Sequence, residues 1–352
     1  MKFNDVINVS MSSLNRNGFE GIGNIVSAYL DLQREPLNMS SQPLIVQIEP
    51  TLYCNLECRM CVNPISQRKK RHMSLSEFKK IVDGMPLVKK ISLVGAGEPL
   101  MNPSLFDMLT YAKSKGILAG CATNGMLLTE ETCHKIIGAG VNWVNISIDS
   151  ADKKRYESIR KGANFDTLIK NIRNFVRLKG NNRLPELSMW FVVMEENLKE
   201  LTDIIKLAKE LGVVMVSAQL AHHWSNDALK KAASGLDSED FQRELKIELK
   251  KAMGYAVKNG ISFDYVNVPD KSLNRACKWP WKSCYITAEG FITPCCLQGS
   301  DPDILNFGNL LKSDFKDIWN CAAYQGFRKS LKSENPPDIC IGCTAYYGKV
   351  NI

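Results

Sequence analysis

Three cysteines packed into eight residues constrain this chain more than any other feature. Cys54, Cys58 and Cys61 stand in the sequence Cys-Asn-Leu-Glu-Cys-Arg-Met-Cys, directly after a short apolar run. Soft thiolates select iron–sulfur clusters or zinc. Structural zinc takes four ligands, and no fourth cysteine or histidine stands close by, since His72 lies eleven residues on. A cluster held by three cysteines leaves one iron open to bind a substrate.

The cysteine count narrows the class of protein. The chain has 352 residues and 12 cysteines, and its start, Met1 to Asp5, lacks the apolar core of a signal peptide. Because a disulfide-rich secreted protein would be short and exported, clustered cysteines here indicate metal ligands or catalytic thiols. No apolar run of about 18 residues predicts a membrane span, and the net charge of +8 permits anionic partners without requiring them. We expect a cytoplasmic protein without a membrane or nucleic-acid partner.

Short apolar runs alternate with helical periods between residues 44 and 220. The capping box of Ser74 and Glu77 and the N-cap Asn197 predict where two of the helices begin. This alternation requires parallel strands with right-handed crossovers, in an α/β fold that is either an open sheet or an incomplete barrel. Ligands bind at the carboxyl ends of the strands in both. The predicted strands are Leu44–Glu49, Lys90–Val94, Leu118–Ala122, Trp143–Ile148, Leu187–Val193 and Val213–Gln219.

The pattern changes beyond residue 220. Residues 225–260 predict a loop and a long helix, and Tyr285–Thr287 and Phe291–Thr293 flank a hairpin signal. The apolar face of that helix is formed by Phe241, Leu245, Leu249, Ala252 and Met253. We divide the chain into an N-terminal extension with a helix at Ile22–Gln33 (1–43), an α/β domain (44–220), a helical linker (221–276) and a small cysteine-rich α+β domain (277–352).

The cysteine loop resembles that of the radical S-adenosylmethionine (SAM) enzymes. Cys-x3-Cys-x2-Cys after the first strand is the signature of that family, and Val94-Gly95-Ala96-Gly97-Glu98-Pro99, which follows the next strand, is similar to its Gly-Gly-Glu-Pro element. The resemblance covers residues 44–220. It implies a partial (β/α)6 barrel, a [4Fe-4S] cluster on the three cysteines, and SAM bound to the open iron. Alanine replaces a glycine at position 96, a small-for-small change.

The resemblance also implies which residues contact SAM. Ala96, Gly97, Glu98 and Pro99 hold the amino group of the methionine moiety, and Arg160 is similar to an arginine that binds its carboxylate. Family members contact the ribose near Ser147 and Asp149. Met60 stands where an aromatic residue is common beside the adenine, and a soft methionine can serve there. Thr123 and Asn124 end the third strand, as is typical of the family.

Another set of cysteines resembles the SPASM extension of that family. Cys277-x12-Gly290-x4-Cys295 is similar to its opening, whereas Cys340-x2-Cys343 is followed by nine residues and no cysteine. The resemblance therefore implies the shortened "twitch" form with one auxiliary [4Fe-4S] cluster. Cys296 leaves the second ligand ambiguous, and a structural zinc ribbon is the alternative interpretation. The implied ligands are Cys277, Cys295, Cys340 and Cys343.

Candidates for the chemistry on the substrate carry weaker signals. Cys121 shares a strand face with Thr123 and could give a hydrogen atom to a substrate radical. Glu195 and His222 follow the last two predicted strands and could supply an acid or base, although surface loops also carry such residues. The basic run at residues 67–71 is interpreted as a solvated loop, with a docking patch for flavodoxin or ferredoxin as the alternative.

The family chemistry predicts an oxygen-sensitive enzyme that cleaves SAM with one electron. An auxiliary cluster favours net two-electron oxidation of the substrate over epimerisation. Peptide-modifying members of the family often carry an N-terminal recognition domain, whereas only 43 residues precede the first predicted strand here. The resemblance therefore implies a small carbohydrate or aminocyclitol substrate. Modification of a ribosomal peptide, by cross-linking or epimerisation, is the alternative. A non-catalytic iron–sulfur or zinc protein is the alternative from another class.

Overall fold

The computed structural model describes residues 17–222, 235–236, 238–266, 277–341, 343 and 346. Two compact units divide the chain. The first unit takes residues from 1–53, 67–120 and 278–341, and the second takes residues from 54–66, 121–277 and 342–352. No helix within the described residues is long and apolar enough to cross a membrane.

The elements follow one another along the chain in an alternating order. The strands are β1 Ile45–Ile48, β2 Glu57–Cys58, β3 Lys90–Leu93, β4 Leu118–Thr123, β5 Trp143–Ser147, β6 Arg160–Lys161, β7 Glu186–Val193, β8 Met215–Leu220, β9 Ser262–Val266, β10 Tyr285–Ile286, β11 Phe291–Thr293 and β12 Gly308–Asn309. The α-helices are α1 Gly18–Arg34, α2 Leu75–Asp83, α3 Leu105–Ser114, α4 Glu130–Ala139, α5 Lys153–Ile159, α6 Phe165–Lys179, α7 Leu201–Leu211, α8 Glu239–Lys258, α9 Trp279–Lys282, α10 Phe315–Trp319 and α11 Ala322–Leu331.

In the first unit the strand order is β12-β11-β10-β1-β3-β4. β1 pairs in parallel with β3, with Ile45 opposite Lys90, and also with β10, with Gln47 opposite Tyr285. The predicted hairpin of β10 and β11 is present and antiparallel. Periodicity did not indicate that this hairpin joins β1. It does so because β10 presents a fully buried pair of residues to the sheet.

In the second unit the strand order is β4-β5-β7-β8-β9. β7 pairs in parallel with β5 and β8, and β8 with β9. We did not predict β9, because its sequence Ser-Phe-Asp-Tyr-Val is short and mostly exposed on the side chains described. A separate two-stranded ladder joins β2 and β6, and its short polar strands also carry no periodic signal.

Helix starts and apolar faces agree with prediction except at two places. Ser74 Oγ accepts from Glu77 N at 3.2 Å and Glu77 Oε2 from Ser74 N at 2.8 Å, which confirms the capping box of α2. Asn197, however, does not cap α7. A 3-10 turn at Leu198–Glu200 intervenes, and the Asn197 side chain instead bonds main-chain groups at Met194, Val192 and Asp149. Met253 on α8 is 45% exposed rather than buried.

The helices bury apolar stripes against the parallel strands. On α6 the buried residues are Leu168, Ile169, Ile172 and Phe175, and on α7 they are Leu201, Ile204, Ile205, Ala208 and Leu211. Each fully buried large apolar side chain stabilises the fold by about 1.5–3 kcal/mol. These stripes hold the strands whose carboxyl ends carry the polar residues described next.

The basic run at residues 67–71 is not a uniformly solvated loop, which corrects the sequence interpretation. The Arg68 side chain is only 5% exposed and forms ion pairs with Glu49 and Glu289, both at 2.6 Å. Arg71 pairs with Glu77 at 2.6 Å on a more exposed side of the same run. A buried guanidinium needs such partners, since an unpaired buried charge is strongly unfavourable.

Candidate active site

The cysteine loop of residues 54–61 has a hydrogen-bonded backbone rather than a free one. β2 pairs with β6 in antiparallel register, so that Cys58 stands opposite Arg160. Arg59 N donates to Ile159 O at 2.9 Å, and Cys61 N donates to Cys58 O at 3.1 Å. These bonds fix the path of the loop on both sides of its central cysteine. They also place the arginine of β6 beside it.

Arg160 and Asp149 form a buried ion pair next to Cys58. Arg160 Nε lies 2.6 Å from Asp149 Oδ2, and Arg160 Nη1 lies 3.9 Å from Cys58 Sγ. The other Asp149 oxygen accepts from Val192 N at 2.8 Å. Asp149 is fully buried and Arg160 is 8% exposed. The guanidinium is therefore held by a carboxylate and directed at a cysteine sulfur.

The protonation of this cluster follows from burial and charge. Burial raises the pKa of the Cys58 thiol to about 12, while the positive charge of Arg160 opposes the rise. Burial alone would lower the pKa of Arg160, but Asp149 and Cys58 outweigh it, so the pKa is raised and the guanidinium stays charged. An iron bound at Cys58 would displace the thiol proton outright, and Arg160 would then face a thiolate.

The three thiols of the loop fit an iron–sulfur cluster. Cys54 and Cys61 both raise the pKa of Cys58, so the three sulfurs are electrostatic neighbours. Within the ranges that the structure describes, no three Cys, His, Asp or Glu side chains are arranged around a single metal ion. The ligands of a four-iron cluster stand further apart, since each thiolate binds a different iron. Soft sulfur donors also disfavour hard cations.

The segment Gly95–Pro99 lies against the main chain that follows β1, within the first unit. A Cβ at Gly97 would meet Thr51 O at 2.2 Å and Tyr53 O at 2.7 Å. Glu98 N donates to Tyr53 O at 2.8 Å. No side chain fits at position 97, whereas Ala96 carries its methyl group at a half-buried position. The replacement of glycine by alanine at 96 is therefore the tolerated one.

Glu98 is 2% exposed, and its Oε1 accepts from Leu100 N at 3.1 Å at the start of the 3-10 turn Pro99–Met101. This bond fixes the carboxylate that the family resemblance assigns to the methionine amino group. Two residues before Glu98, Ala96 N donates to Glu49 Oε1 at 3.0 Å. Glu49 follows β1, and the sequence analysis does not single out its contact with this segment, because a lone glutamate there carries no motif.

The end of β4 is tied to the cysteine loop by a pair of asparagines. Asn124 Nδ2 donates to Asn55 Oδ1 at 2.8 Å, and Asn124 Oδ1 accepts from Met126 N at 2.9 Å. Asn55, between the first two cysteines, was not singled out from the sequence. Thr123 is buried and its hydroxyl accepts from Gly125 N at 3.1 Å. Met60 and Ser147 are half-buried, and their predicted contacts with SAM stay predictions.

The proposed acid–base and hydrogen-donor residues occupy different settings in the second unit. Cys121 is 1% exposed within β4, and His222 is 8% exposed just beyond β8. Glu195 is exposed, with Gly235 packed beside its carboxylate. Its neighbour Glu196 pairs with Arg59 at 2.8 Å, so the structure brings Glu196 rather than Glu195 to the cysteine loop. His223 and Trp224 lie outside the described residues.

Cys295 sits among backbone N–H groups at the end of β11. Its sulfur accepts from the main chain at Gly299, Leu297 and Gln298; burial raises the pKa of the thiol and these bonds lower it. Backbone donors around a cluster sulfur are a recognised way of stabilising a thiolate ligand. This arrangement favours Cys295 over Cys296 as the predicted ligand of the auxiliary cluster.

The other residues expected at the auxiliary cluster are placed as follows. Gly290 has φ +87°, and a Cβ there would meet Leu311 Cγ at 2.7 Å, which explains a glycine in this turn. Cys340 ends a 3-10 turn in the first unit. In the second unit, Cys277 N donates to Tyr346 O at 3.3 Å and Tyr346 N donates to Cys343 O at 3.0 Å.

The three remaining cysteines serve packing within their elements. Cys133 and Cys284 are fully buried. Cys321 caps α11: its sulfur accepts from Tyr324 N at 3.4 Å. Burial of free thiols such as Cys133 and Cys284 is common in protein interiors.

Known proteins resemble this chain along most of its length. The model of the radical SAM superfamily matches residues 48–208, and that of the SPASM iron–sulfur cluster-binding domain matches residues 277–344. AdoMet-dependent heme synthase of Methanosarcina barkeri is 27% identical, over 87% of this chain and 93% of the relative. PqqA peptide cyclase of Gluconobacter oxydans is 25% identical, over 87% of this chain and 84% of the relative.

Solved structures show the same fold. SuiB of Streptococcus suis bound to S-adenosylmethionine has a TM-score of 0.70 at 17% identity, over 96% of this chain and 81% of its own. The enzyme anSMEcpe with bound AdoMet has a TM-score of 0.66 at 17% identity, over 86% and 83% of the two chains. These likenesses confirm the α/β partial-barrel class with a C-terminal cluster domain. The family matches also confirm the predicted cofactors of this chain, which are SAM, a SAM-binding iron–sulfur cluster and auxiliary iron–sulfur binding. Residues 48–208 are a radical SAM domain, and residues 277–344 are a SPASM iron–sulfur cluster-binding domain.

Proposed function

We propose that this chain is a radical SAM oxidoreductase that dehydrogenates a small substrate of the carbohydrate or aminocyclitol type. The observation that carries the proposal is the cysteine loop, where β2–β6 pairing holds Cys58 beside the charged Arg160 and where Cys54 and Cys61 are electrostatic neighbours of Cys58. Three thiols cannot complete a four-iron cluster. The fourth iron is therefore left for a ligand that reacts, which a purely structural cluster would not need.

Each group of residues has a separate task in this proposal. Cys54, Cys58 and Cys61 hold the cluster that, when bound and reduced, supplies the electron that cleaves SAM to methionine and the 5′-deoxyadenosyl radical. The Ala96–Pro99 segment holds the methionine amino group, with the Glu98 carboxylate fixed by its bond from Leu100 N. Arg160 keeps a positive charge beside the sulfur of Cys58.

The remaining steps of the proposed reaction require a proton acceptor and an electron acceptor. The substrate loses one hydrogen atom to the 5′-deoxyadenosyl radical, forming 5′-deoxyadenosine, and then loses a proton and an electron. His222 or Glu195 takes the proton in this proposal, since both lie just beyond the ends of strands β8 and β7. Cys277, Cys295, Cys340 and Cys343 would hold an auxiliary cluster, and such a cluster would supply an acceptor for the electron. The backbone N–H donors at Cys295 support that role, because they stabilise a thiolate ligand. Four cysteine ligands would leave no iron of this cluster open.

The relatives of this chain support both a small-molecule and a peptide substrate. A heme synthase matches over 93% of its own length, and a heme is a small molecule. The PqqA peptide cyclase, the mycofactocin maturase MftC and SuiB bound to the precursor peptide SuiA favour peptide modification as the second candidate function.

The test begins with anaerobic reconstitution with iron and sulfide, followed by reduction with dithionite in the presence of SAM. Formation of 5′-deoxyadenosine supports the enzyme; its absence under several reductants, with iron bound, would favour a non-catalytic iron–sulfur protein. Candidate substrates are then compared by product mass. Loss of two hydrogens from a sugar or aminocyclitol supports dehydrogenation, whereas a modified peptide supports the second function. Uptake of one solvent deuterium would indicate epimerisation.

A further inference from the structure

A buried carboxylate connects the methionine-binding segment to the C-terminal hairpin. Glu49 is fully buried at the end of β1. Its Oε1 accepts from Ala96 N at 3.0 Å and from the Tyr285 hydroxyl at 2.8 Å, and its Oε2 accepts from Ala288 N at 3.0 Å. Ala96 belongs to the glycine-rich segment, while Tyr285 and Ala288 belong to the hairpin of β10 and β11. One side chain therefore joins two elements that are almost 200 residues apart in sequence.

Arg68 strengthens the same connection. Its Nη2 lies 2.6 Å from Glu49 Oε2 and 2.6 Å from Glu289 Oε2, and its Nη1 donates to Ser300 O at 3.2 Å. The planar guanidinium donates to two carboxylates and a carbonyl at once, from several nitrogens in a fixed fork that a lysine ammonium does not have. Burial would lower the pKa of Arg68, but Glu49 and Glu289 outweigh it and the pKa is raised, so the bridge stays charged.

Steric fit makes the connection tight. A Cβ at Gly95 would lie 2.4 Å from Glu49 Cγ and 2.7 Å from the Tyr285 hydroxyl. The glycine-rich segment thus approaches Glu49 and Tyr285 with no room for a side chain. A shift of the Glu49 carboxylate would be passed directly to the main chain at Gly95 and Ala96. Interiors packed this closely transmit small displacements.

We propose that Glu49 is a positioning residue through which the C-terminal hairpin sets the affinity for SAM. Held by Arg68 and Tyr285, Glu49 fixes the amide of Ala96 and so the path of the segment that receives the methionine amino group. Loss of the contacts that Arg68 and Tyr285 make with Glu49 weakens SAM binding, while the three-cysteine loop keeps its iron. The inference rests on the proposed assignment of Ala96–Pro99 to the methionine moiety.

A matched pair of variants tests the proposal. Arg68→Lys breaks the bridge, whereas Arg71→Lys makes the same change three residues on, at an arginine that contacts Glu77 and the carbonyl of His72 rather than Glu49. Tyr285→Phe removes only the hydroxyl bond to Glu49 and serves if Arg68→Lys folds poorly. Each reconstituted protein is assayed for iron content, for the Kd of SAM by equilibrium dialysis, and for amide hydrogen exchange at residues 94–98.

Arg68→Lys and Tyr285→Phe are expected to raise the Kd of SAM by roughly 10-fold, in line with the loss of an orienting hydrogen bond behind a binding group. Exchange at Ala96 speeds up, iron content stays that of the unaltered protein, and Arg71→Lys matches the unaltered protein in all three. An unchanged Kd and unchanged exchange at Ala96 in both variants would overturn the inference. If the unaltered protein itself binds iron but no SAM, the proposed function fails instead.

Discussion

Two cysteines that we assign to two different clusters are held by different means. Cys58 lies 3.9 Å from a guanidinium nitrogen of Arg160, itself paired with Asp149. Cys295 instead accepts hydrogen bonds from the backbone N–H groups of three following residues. A side-chain charge can be removed by one substitution, whereas backbone dipoles cannot. Under this assignment, the surroundings of the cluster on the cysteine loop include a charged side-chain pair, whereas those of the auxiliary cluster are set by the local backbone path.

The largest expected difference separates the two cysteines themselves. Cys58→Ala removes a ligand of the three-cysteine site, so 5′-deoxyadenosine formation falls to background and about four iron atoms per chain are lost. Cys295→Ala removes only auxiliary iron, so SAM cleavage persists while oxidation of the substrate stops. Iron analysis and product quantification check both variants. Retained SAM cleavage in Cys58→Ala would contradict the assignment of Cys58 to the SAM-binding cluster.

Removal of the guanidinium is expected to have the next largest effect. Arg160→Met leaves Asp149 buried without its ion-pair partner, which lowers the free energy of unfolding by about 3–5 kcal/mol. Since a positive charge near the thiolates favours the reduced cluster, its loss lowers the reduction potential of the SAM-binding cluster by on the order of 50–100 mV. Urea unfolding and an EPR-monitored redox titration measure the two effects.

The control for that variant is the double change Arg160→Met with Asp149→Asn. It recovers part of the stability, because no unpaired charge is left, and only part of the potential, because the charge of Arg160 acts on Cys58 more strongly than that of Asp149. An unchanged potential in Arg160→Met would show that Arg160 does not act on the cluster through its charge.

A smaller effect is expected from the chain path at Cys295. A Cβ at Gly299 would meet Pro294 Cγ at 2.7 Å. Gly299→Ala therefore shifts an N–H group away from the Cys295 sulfur, with a cost of roughly 1–3 kcal/mol in stability from overpacking. Auxiliary iron becomes labile to chelators, whereas the iron of the three-cysteine site does not. Equal loss from both sites would contradict the separation of the two environments.

The smallest effect is expected at the neighbouring cysteine. Cys296→Ala leaves the backbone donors of Cys295 in place, so iron content should be unchanged and stability should change by no more than about 0.5 kcal/mol. Iron analysis beside Cys295→Ala makes the contrast direct. Loss of auxiliary iron in Cys296→Ala would reverse the assignment of the ligand.

The strands, most helix faces and the family chemistry of the site could be predicted from the sequence, because each has a local signature. Three thiols at fixed spacing and a glycine-rich segment after a strand can be recognised without coordinates. The capping box of Ser74 and Glu77 is likewise local, and the structure confirms it.

What the sequence could not supply are contacts between distant segments. Arg68 is one of five residues in a basic run, and nothing nearby indicates that it reaches Glu289, more than 200 residues on. The family resemblance implies SAM contacts for both Asp149 and Arg160, and that remains a prediction, whereas their pairing with each other is visible only in the structure. The Asn197 prediction was wrong because a 3-10 turn displaced the helix start. Such choices depend on tertiary partners, not on local preference.

The central claim is that the loop from Cys54 to Cys61 holds a cluster whose open iron binds SAM. EPR spectra of the anaerobically reduced, reconstituted protein, recorded with and without SAM, test it most directly, with Cys295→Ala used to simplify the spectrum. We predict a reduced-cluster signal that changes shape when SAM is added and that is missing in Cys58→Ala. A cluster signal that is indifferent to SAM, or zinc in place of iron on this loop, would contradict the account.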